Sequence, residues 1–185
     1  DGGQRLSLTG SDALDRARIR KHVPDDLMRQ QIQMIAAMSE ETRLTLECAA
    51  VAGLRFTVEA IAQGLHISRL EAANRLRKIE AETGLIEDRD GDDQFGFNTS
   101  LTRDCLMRSL AVGARGATRS REIKREIHNR LALHFTQHPE ETTPGNIAYH
   151  ALNAGIRLRQ TCLEYALVAA QQSAHWQAWT DCNVD

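Results

Sequence analysis

Apolar residues recur every three or four positions along most of the chain, which is the spacing of one face of an α-helix. The clearest run is Ile123, Ile127, Leu131 and Phe135, which stand four residues apart. Only three prolines interrupt the 185 residues, and only 4% of the residues are aromatic. Stacked helices with small aliphatic cores are therefore favoured over an all-β sandwich.

Hydroxyl residues followed by acidic residues mark several helix starts, and glycines mark several helix ends. Ser39, Thr57 and Ser68 are the predicted N-caps, whereas Gly53 and Gly84 follow predicted C-termini. The predicted helices span residues 25–37, 40–52, 57–64, 69–83, 101–111, 119–137, 146–154 and 159–178.

One segment is typical of a β-hairpin. Residues 85–86 begin an extended stretch, residues 88–93 (DRDGDD) favour a turn, and Phe95 and Phe97 alternate with other residues. Residues 39–98 are thus predicted to form helix, short helix, helix and hairpin, the order of a winged helix. The predicted core comprises Leu44, Leu46 or Val51, together with Ile61, Leu76, Ile79, Leu85, Phe95 and Phe97.

The predicted fold class is mainly α, with two regions. Residues 23–112 are expected to form a winged-helix-like domain of three helices and one hairpin. Residues 113–185 are expected to form antiparallel helical hairpins that resemble the start of a TPR-like array. Residues 1–22 are poorly patterned and are expected to be a linker or the end of an upstream domain of a longer protein.

Charge argues against a strongly basic nucleic-acid binder, because the formal net charge is −2. Residues 39–97 hold seven Lys/Arg against twelve Asp/Glu, a net of −5. The third helix of this segment and a later basic stretch from 115 to 130 still offer cations. The candidates for contact with DNA or a partner are Arg69, Arg75, Arg77, Lys78, Arg119, Lys124 and Arg125.

Motifs for catalysis and cofactors are missing from the sequence, which has no phosphate-binding loop, no HExxH and no C-x₂-C. We therefore expect no catalytic residue, no cofactor and no metal. His134 and His138 could share a helix face, with Glu140 or Glu141 as a third ligand, but solvated histidines are favoured. The cysteine spacing predicts buried free thiols in a reducing, cytoplasmic compartment, and no apolar stretch is long enough to span a membrane.

A series of short motifs runs through residues 23–179. The motifs are residues 23–27 (VPDDL), 38–47 (MSEETRLTLE), 49–53 (AAVAG) with Phe56, 84–86 (GLI), 95–97 (FGF), 101–106 (LTRDCL), 147–155 (IAYHALNAG), 165–166 (YA) and 169–170 (AA). In this order they resemble the region after the ATPase core of bacterial STAND regulators, the signal-transduction ATPases with numerous domains. The branch includes maltose-activator-like regulators and ATPase modules fused to adenylate cyclases or kinases.

The resemblance implies a non-catalytic regulatory and interaction module. An upstream ATPase domain of the same chain would bind ATP or ADP, and this part would relay the nucleotide state to a downstream helical sensor. Other proteins would bind to the helical region. Nucleic acid would bind weakly or not at all, and no membrane contact is expected. The alternatives are a DNA-binding winged-helix transcriptional regulator and a protein-binding adaptor.

One position departs from the family pattern. Members often carry a histidine two residues after the second wing aromatic, where it can approach the nucleotide phosphates, whereas this chain has Thr99. A hydroxyl can donate to a phosphate but carries no positive charge. Arg103 matches the family's arginine one helical turn further on. Thr99 and Arg103 are therefore the nucleotide-sensing candidates.

Overall fold

The computed structural model describes residues 25–89, 91, 93–112 and 117–182, without the side chains of residues 25, 111, 112, 117 and 176–182. This described part is mainly helical and contains eight α-helices and one small antiparallel sheet. The predicted linker or domain end at residues 1–22 lies outside the described residues.

Four helices and three strands precede residue 98 in the described part. They are α1 (Asp25–Ala37), α2 (Glu40–Ala52), β1 (Arg55–Thr57), α3 (Val58–Leu65), α4 (Arg69–Thr83), β2 (Ile86–Asp88) and β3 (Gln94–Phe97). The helices that follow are α5 (Ser100–Val112), α6 (Ala117–Gln137), α7 (Pro144–Ala154) and α8 (Arg159–Cys182). Single 3₁₀ turns at Pro139–Glu141 and Ile156–Leu158 connect α6, α7 and α8. The eight predicted helices are confirmed, with ends shifted by four residues or fewer.

The predicted N-caps form as hydrogen bonds. Ser39, Thr57 and Ser68 each accept from the backbone N–H three residues further on, at 3.1, 3.0 and 3.2 Å. These bonds satisfy donors that the first turn of a helix leaves without a partner. Thr143 caps α7 in the same way, at 3.3 Å, with Pro144 as the first helical residue. Helix α7 therefore begins two residues before its predicted start.

The sheet has one more strand than the sequence predicts. Its order is β1–β3–β2, with Phe56 opposite Phe95 and Ile86 opposite Phe97. The ring of Phe56 stacks on that of Phe95 and lies tilted against Phe97, with centroids 6.5 and 5.5 Å apart. β1 was not predicted, because three residues are too few to show the alternation of apolar and polar residues that is typical of a strand.

Within the described residues, one hydrophobic core runs from the sheet into the helices after it. Eight of the predicted core residues are buried, and Leu44 is half-buried. The eight are Leu46, Val51, Ile61, Leu76, Ile79, Leu85, Phe95 and Phe97. The same cluster includes Ile127, Leu131, Phe135 and Ile147 from α6 and α7.

The contact of α3 with α2 and α6 depends on a glycine. A Cβ at Gly64 would lie 2.5 Å from Cys48 Sγ and 3.6 Å from Leu131 Cδ2. Helix α6 packs on α2, α3, α5 and α7. The predicted domain boundary at residue 112 stays a prediction. Helix α6, which follows this boundary, packs on α2, α3 and α5, which precede it.

Candidate functional site

Thr99 lies at the start of α5 and caps it. Its Oγ1 accepts from the Thr102 backbone N–H at 3.3 Å and lies 2.9 Å from Thr102 Oγ1. Gln31 of α1 donates to the same Thr102 hydroxyl at 3.0 Å. Because Thr99 is exposed, its hydroxyl combines a local capping bond with access to solvent.

Arg103 is tied to the last turn of α2. Its Nε donates to the Ala50 carbonyl at 2.9 Å. Carbonyls near a helix C-terminus lack helical partners and carry a partial negative charge, so a guanidinium stabilises them. The positive charge of Arg103 also contributes to lowering the pKa of His150 in α7, after burial. Arg103 thus lies among α2, α5 and α7 rather than in open solvent.

Two of the α4 arginines are already neutralised by carboxylates. Arg69 and Arg75 each form ion pairs with two acidic residues. The partners are Asp93 and Glu59 (4.0 Å) for Arg69, and Glu41 (3.0 Å) and Glu71 for Arg75. Each of these carboxylates competes with a phosphate for the same guanidinium.

Arg77 and Lys78 are different, because they lie on the outer, exposed face of α4 with Asn74. Lys78 is 3.9 Å from Glu82 across one helical turn, and such exposed pairs are weak. Among the residues that the structure describes, Arg77 has no carboxylate within ion-pair distance. These two residues are the cations that α4 leaves available.

The turn of the hairpin is acidic in the described part. Arg89 pairs with Glu87 at 2.7 Å, and Asp88 Oδ1 accepts from the Gly91 N–H at 3.0 Å, an Asx-type turn bond. Asp90 and Asp92 lie outside the described residues. The single arginine of the turn is therefore engaged by a neighbouring carboxylate.

The basic stretch on α6 is divided among several roles. Arg125 Nε donates to the Ala154 carbonyl at the end of α7, at 2.8 Å. Lys124 is half-buried, and Arg119 is exposed. Arg115 lies outside the described residues. The three described cations of this stretch therefore differ in exposure and in hydrogen bonding.

A buried histidine pair joins α6 to α7. His128 Nδ1 and His150 Nδ1 lie 3.1 Å apart, with the Tyr149 ring against both imidazoles. Burial, followed by the neighbouring His150 and Lys124 charges, lowers the pKa of His128 to about 3. Burial and then Arg103 lower the pKa of His150 to about 4. Sequence reasoning missed this pair because nothing local relates residues on two different helices.

A second histidine cluster lies at the C-terminal end of α6. His134 Nε2 is 3.1 Å from Glu141 Oε2, and His138 Nδ1 is 3.4 Å from Glu140 Oε1. The structure thus brings together the two histidines and two glutamates that the sequence offers as weak metal candidates. The sequence pattern that indicates this cluster is the four-residue spacing of the two histidines, followed by the two glutamates.

A polar cavity of about 350 Å³ lies between β1 and the segment that leads into α7. Arg55, Thr57, Gln94, Glu141 and Asn146 line it. They offer both donors and acceptors, and Phe56 and Phe135 add apolar surface to the same lining.

The thiols of Cys48 and Cys105 are poor nucleophiles, because burial disfavours their thiolate forms. Burial raises the pKa of Cys48 to about 12 and also raises that of Cys105, which keeps both protonated at neutral pH. Both are buried and free, as predicted, whereas Cys162 is half-buried.

Comparison of the chain with protein-family models, curated proteins and solved structures gave no match. Within the described residues, every helix is too short or too polar to traverse a lipid bilayer.

Proposed function

We propose that this chain is a non-catalytic regulatory and interaction module of a signal-transduction ATPase. In this proposal α2 to β3 form a winged-helix unit, and α6 to α8 form the start of a TPR-like array. An upstream ATPase domain of the same chain binds ATP or ADP, and the module relays the nucleotide state to a helical sensor. The resemblance of the motifs in residues 23–179 is the source of this proposal.

The observation that carries it is the shared core. Leu131 of α6 is fully buried in the same cluster as Leu46 of α2 and Ile61 of α3. Tightly packed interiors transmit displacement because they have few voids to absorb it. A shift of the winged-helix unit would therefore move α6, and α7 with it.

Arg103 supports the same route. It joins α5 to the end of α2 through the Ala50 carbonyl, and Thr99 caps the same helix α5. A change in nucleotide at Thr99 would act on a helix that is already bonded to α2. Both residues are candidates for sensing by their position between elements.

The outer face of the helical hairpin supports protein binding. Leu152, Ile156, Leu163 and Leu167 expose 69%, 78%, 63% and 60% of their surfaces. Helical repeats bury such faces against the next repeat or against a bound protein. Partners are accordingly expected along α7 and α8.

A second candidate is a DNA-binding winged helix, and Arg77 favours it. Arg77, Lys78 and Asn74 share the exposed face of α4, and these residue types read base edges and phosphates. Against it stand the ion pairs of Arg69, Arg75 and Arg89. A phosphate backbone would have to displace those carboxylates.

Fluorescence anisotropy against a random duplex distinguishes the two. We expect binding no tighter than about micromolar at physiological salt, because few cations are available to release counterions. Arg77→Glu and the matched control Arg119→Glu should weaken this residual binding to a similar extent. Nanomolar binding that persists at about 0.2 M salt and is lost only in Arg77→Glu would contradict the relay hypothesis and support the DNA-binding one.

A further inference from the structure

The chain reverses direction after α6, and this brings four ligand-bearing side chains together. His134 is in the last turn of α6, and His138 follows its end. The 3₁₀ turn Pro139–Glu141 then returns Glu140 to His138 and Glu141 to His134. The ligand atoms of His138, Glu140 and Glu141 all lie within 4.8 Å of one another.

The spacing of these atoms approaches that of a metal site. Ligands 2.0–2.1 Å from a tetrahedral zinc ion lie about 3.3 Å from one another. His134 Nε2 to Glu141 Oε2 is 3.1 Å, and His138 Nδ1 to Glu140 Oε1 is 3.4 Å. The two imidazole centroids are 5.0 Å apart. His138, Glu140 and Glu141 thus form the cluster, and His134 joins it through Glu141.

The site combines a buried side and an open side. The His134 side chain is only 4% exposed, against 49% for His138 and 70% for Glu140. Thr57 of β1 donates to Glu141 Oε2 at 3.3 Å, which is the kind of bond that orients a ligating carboxylate. A cavity of about 260 Å³ borders His134 and His138, so a water ligand can enter.

Charge also points to a cation. In the part of the chain that the structure describes, neither Glu140 nor Glu141 has a Lys or Arg within ion-pair distance. Arg130 borders the same cavity but pairs with Glu126 at 2.7 Å. Among the described residues, the ion-pair partners of these two carboxylates are therefore the two imidazoles.

We propose that His134, His138, Glu140 and Glu141 bind a divalent cation of the zinc class. Mixed imidazole and carboxylate ligands suit zinc, whereas magnesium and calcium prefer oxygen ligands alone. The ion would fasten the turn between α6 and α7 and, through Thr57, hold it against β1.

Isothermal titration of the full 185-residue chain with ZnCl₂, under reducing conditions, tests this. The variants are His138→Ala and Glu140→Gln, whose side chains are exposed, so both should fold. The matched control is His175→Ala, which removes an exposed histidine from α8. Circular dichroism verifies the fold of each, and MgCl₂ serves as the control salt.

We expect one zinc ion per chain, no response to MgCl₂, and unchanged affinity in His175→Ala. His138→Ala should weaken zinc binding by more than about tenfold, since even outer-shell changes reach that size. Substitution by cobalt should give a visible spectrum without a thiolate charge-transfer band. The proposal is overturned if the wild-type chain does not bind zinc, if His138→Ala binds it unchanged, or if the cobalt spectrum shows thiolate ligation.

Discussion

His128 and His150 face each other through their Nδ1 atoms, 3.1 Å apart, where α6 meets α7. One ring must donate a proton from Nδ1 while the other offers a lone pair, so the accepting ring must be neutral. Protonating either ring would remove the acceptor or place a charge in a buried site. Burial of the pair therefore favours its neutral state.

Acid should weaken the fold through this pair. The pKa values of His128 and His150 fall from 6.5 to about 3 and about 4 on folding. Below pH 6.5 the unfolded chain therefore takes up protons that the folded chain does not. The stabilisation is present above pH 6.5 and is lost as the pH falls towards 4. Urea denaturation should show a loss on the order of 1 kcal/mol per histidine between pH 7.5 and 5.5.

The double variant His128→Leu, His150→Leu removes both groups and should flatten this pH dependence. The control His175→Ala should retain it, because that histidine is exposed. A wild-type profile that is equally flat would contradict the assignment.

Replacing Arg103 should cost stability whether or not a nucleotide binds. Arg103→Met leaves the Ala50 carbonyl without the donor now 2.9 Å away. The expected loss in the free energy of unfolding is about 1–2 kcal/mol. Arg77→Met is the matched control and should leave the stability unchanged. Equal stabilities of the two variants in chemical denaturation would contradict a structural role for the hydrogen bond from Arg103 to Ala50.

A side chain at Gly155, which ends α7, should destabilise the fold, unlike one at Gly145 near the start of the same helix. Gly155 has φ +97°, and a Cβ there would overlap the guanidinium of Arg125. Gly155→Ala should therefore lower the free energy of unfolding by about 1–3 kcal/mol. A Cβ at Gly145 would meet only ordinary contacts at 3.9 Å, so Gly145→Ala should be neutral or stabilising. Thermal denaturation of both variants measures the difference, and a stable Gly155→Ala protein would refute the account.

The helices were predictable because their signals are local. Ser39, Thr57 and Ser68 cap helices within three residues of their own positions. The four-residue repeat from Ile123 to Phe135 marks a face whose members Ile127, Leu131 and Phe135 are buried. Propensity, capping and apolar spacing agree in these segments, so sequence and structure agree as well.

The features that were not predictable depend on distant contacts. β1 exists because Phe56 pairs with Phe95, and His128 meets His150 only when α6 and α7 pack together. The ion pairs of Arg69 and Arg75 likewise reach Asp93 and Glu41 on other elements. From the sequence, these arginines are candidates for contact with DNA or a partner. In the folded chain they form ion pairs with these carboxylates.

Native-state hydrogen exchange of wild type and Leu131→Ala tests most directly whether the proposed winged-helix unit and α6 form one cooperative body. Leu131 is fully buried in the shared core, and its truncation should cost roughly 2–5 kcal/mol. We predict that the slowest amides of α2, α3 and α6 share one opening free energy, and that Leu131→Ala lowers it equally in all three helices. Loss of protection in α6 alone, with α2 and α3 unchanged, would contradict the relay.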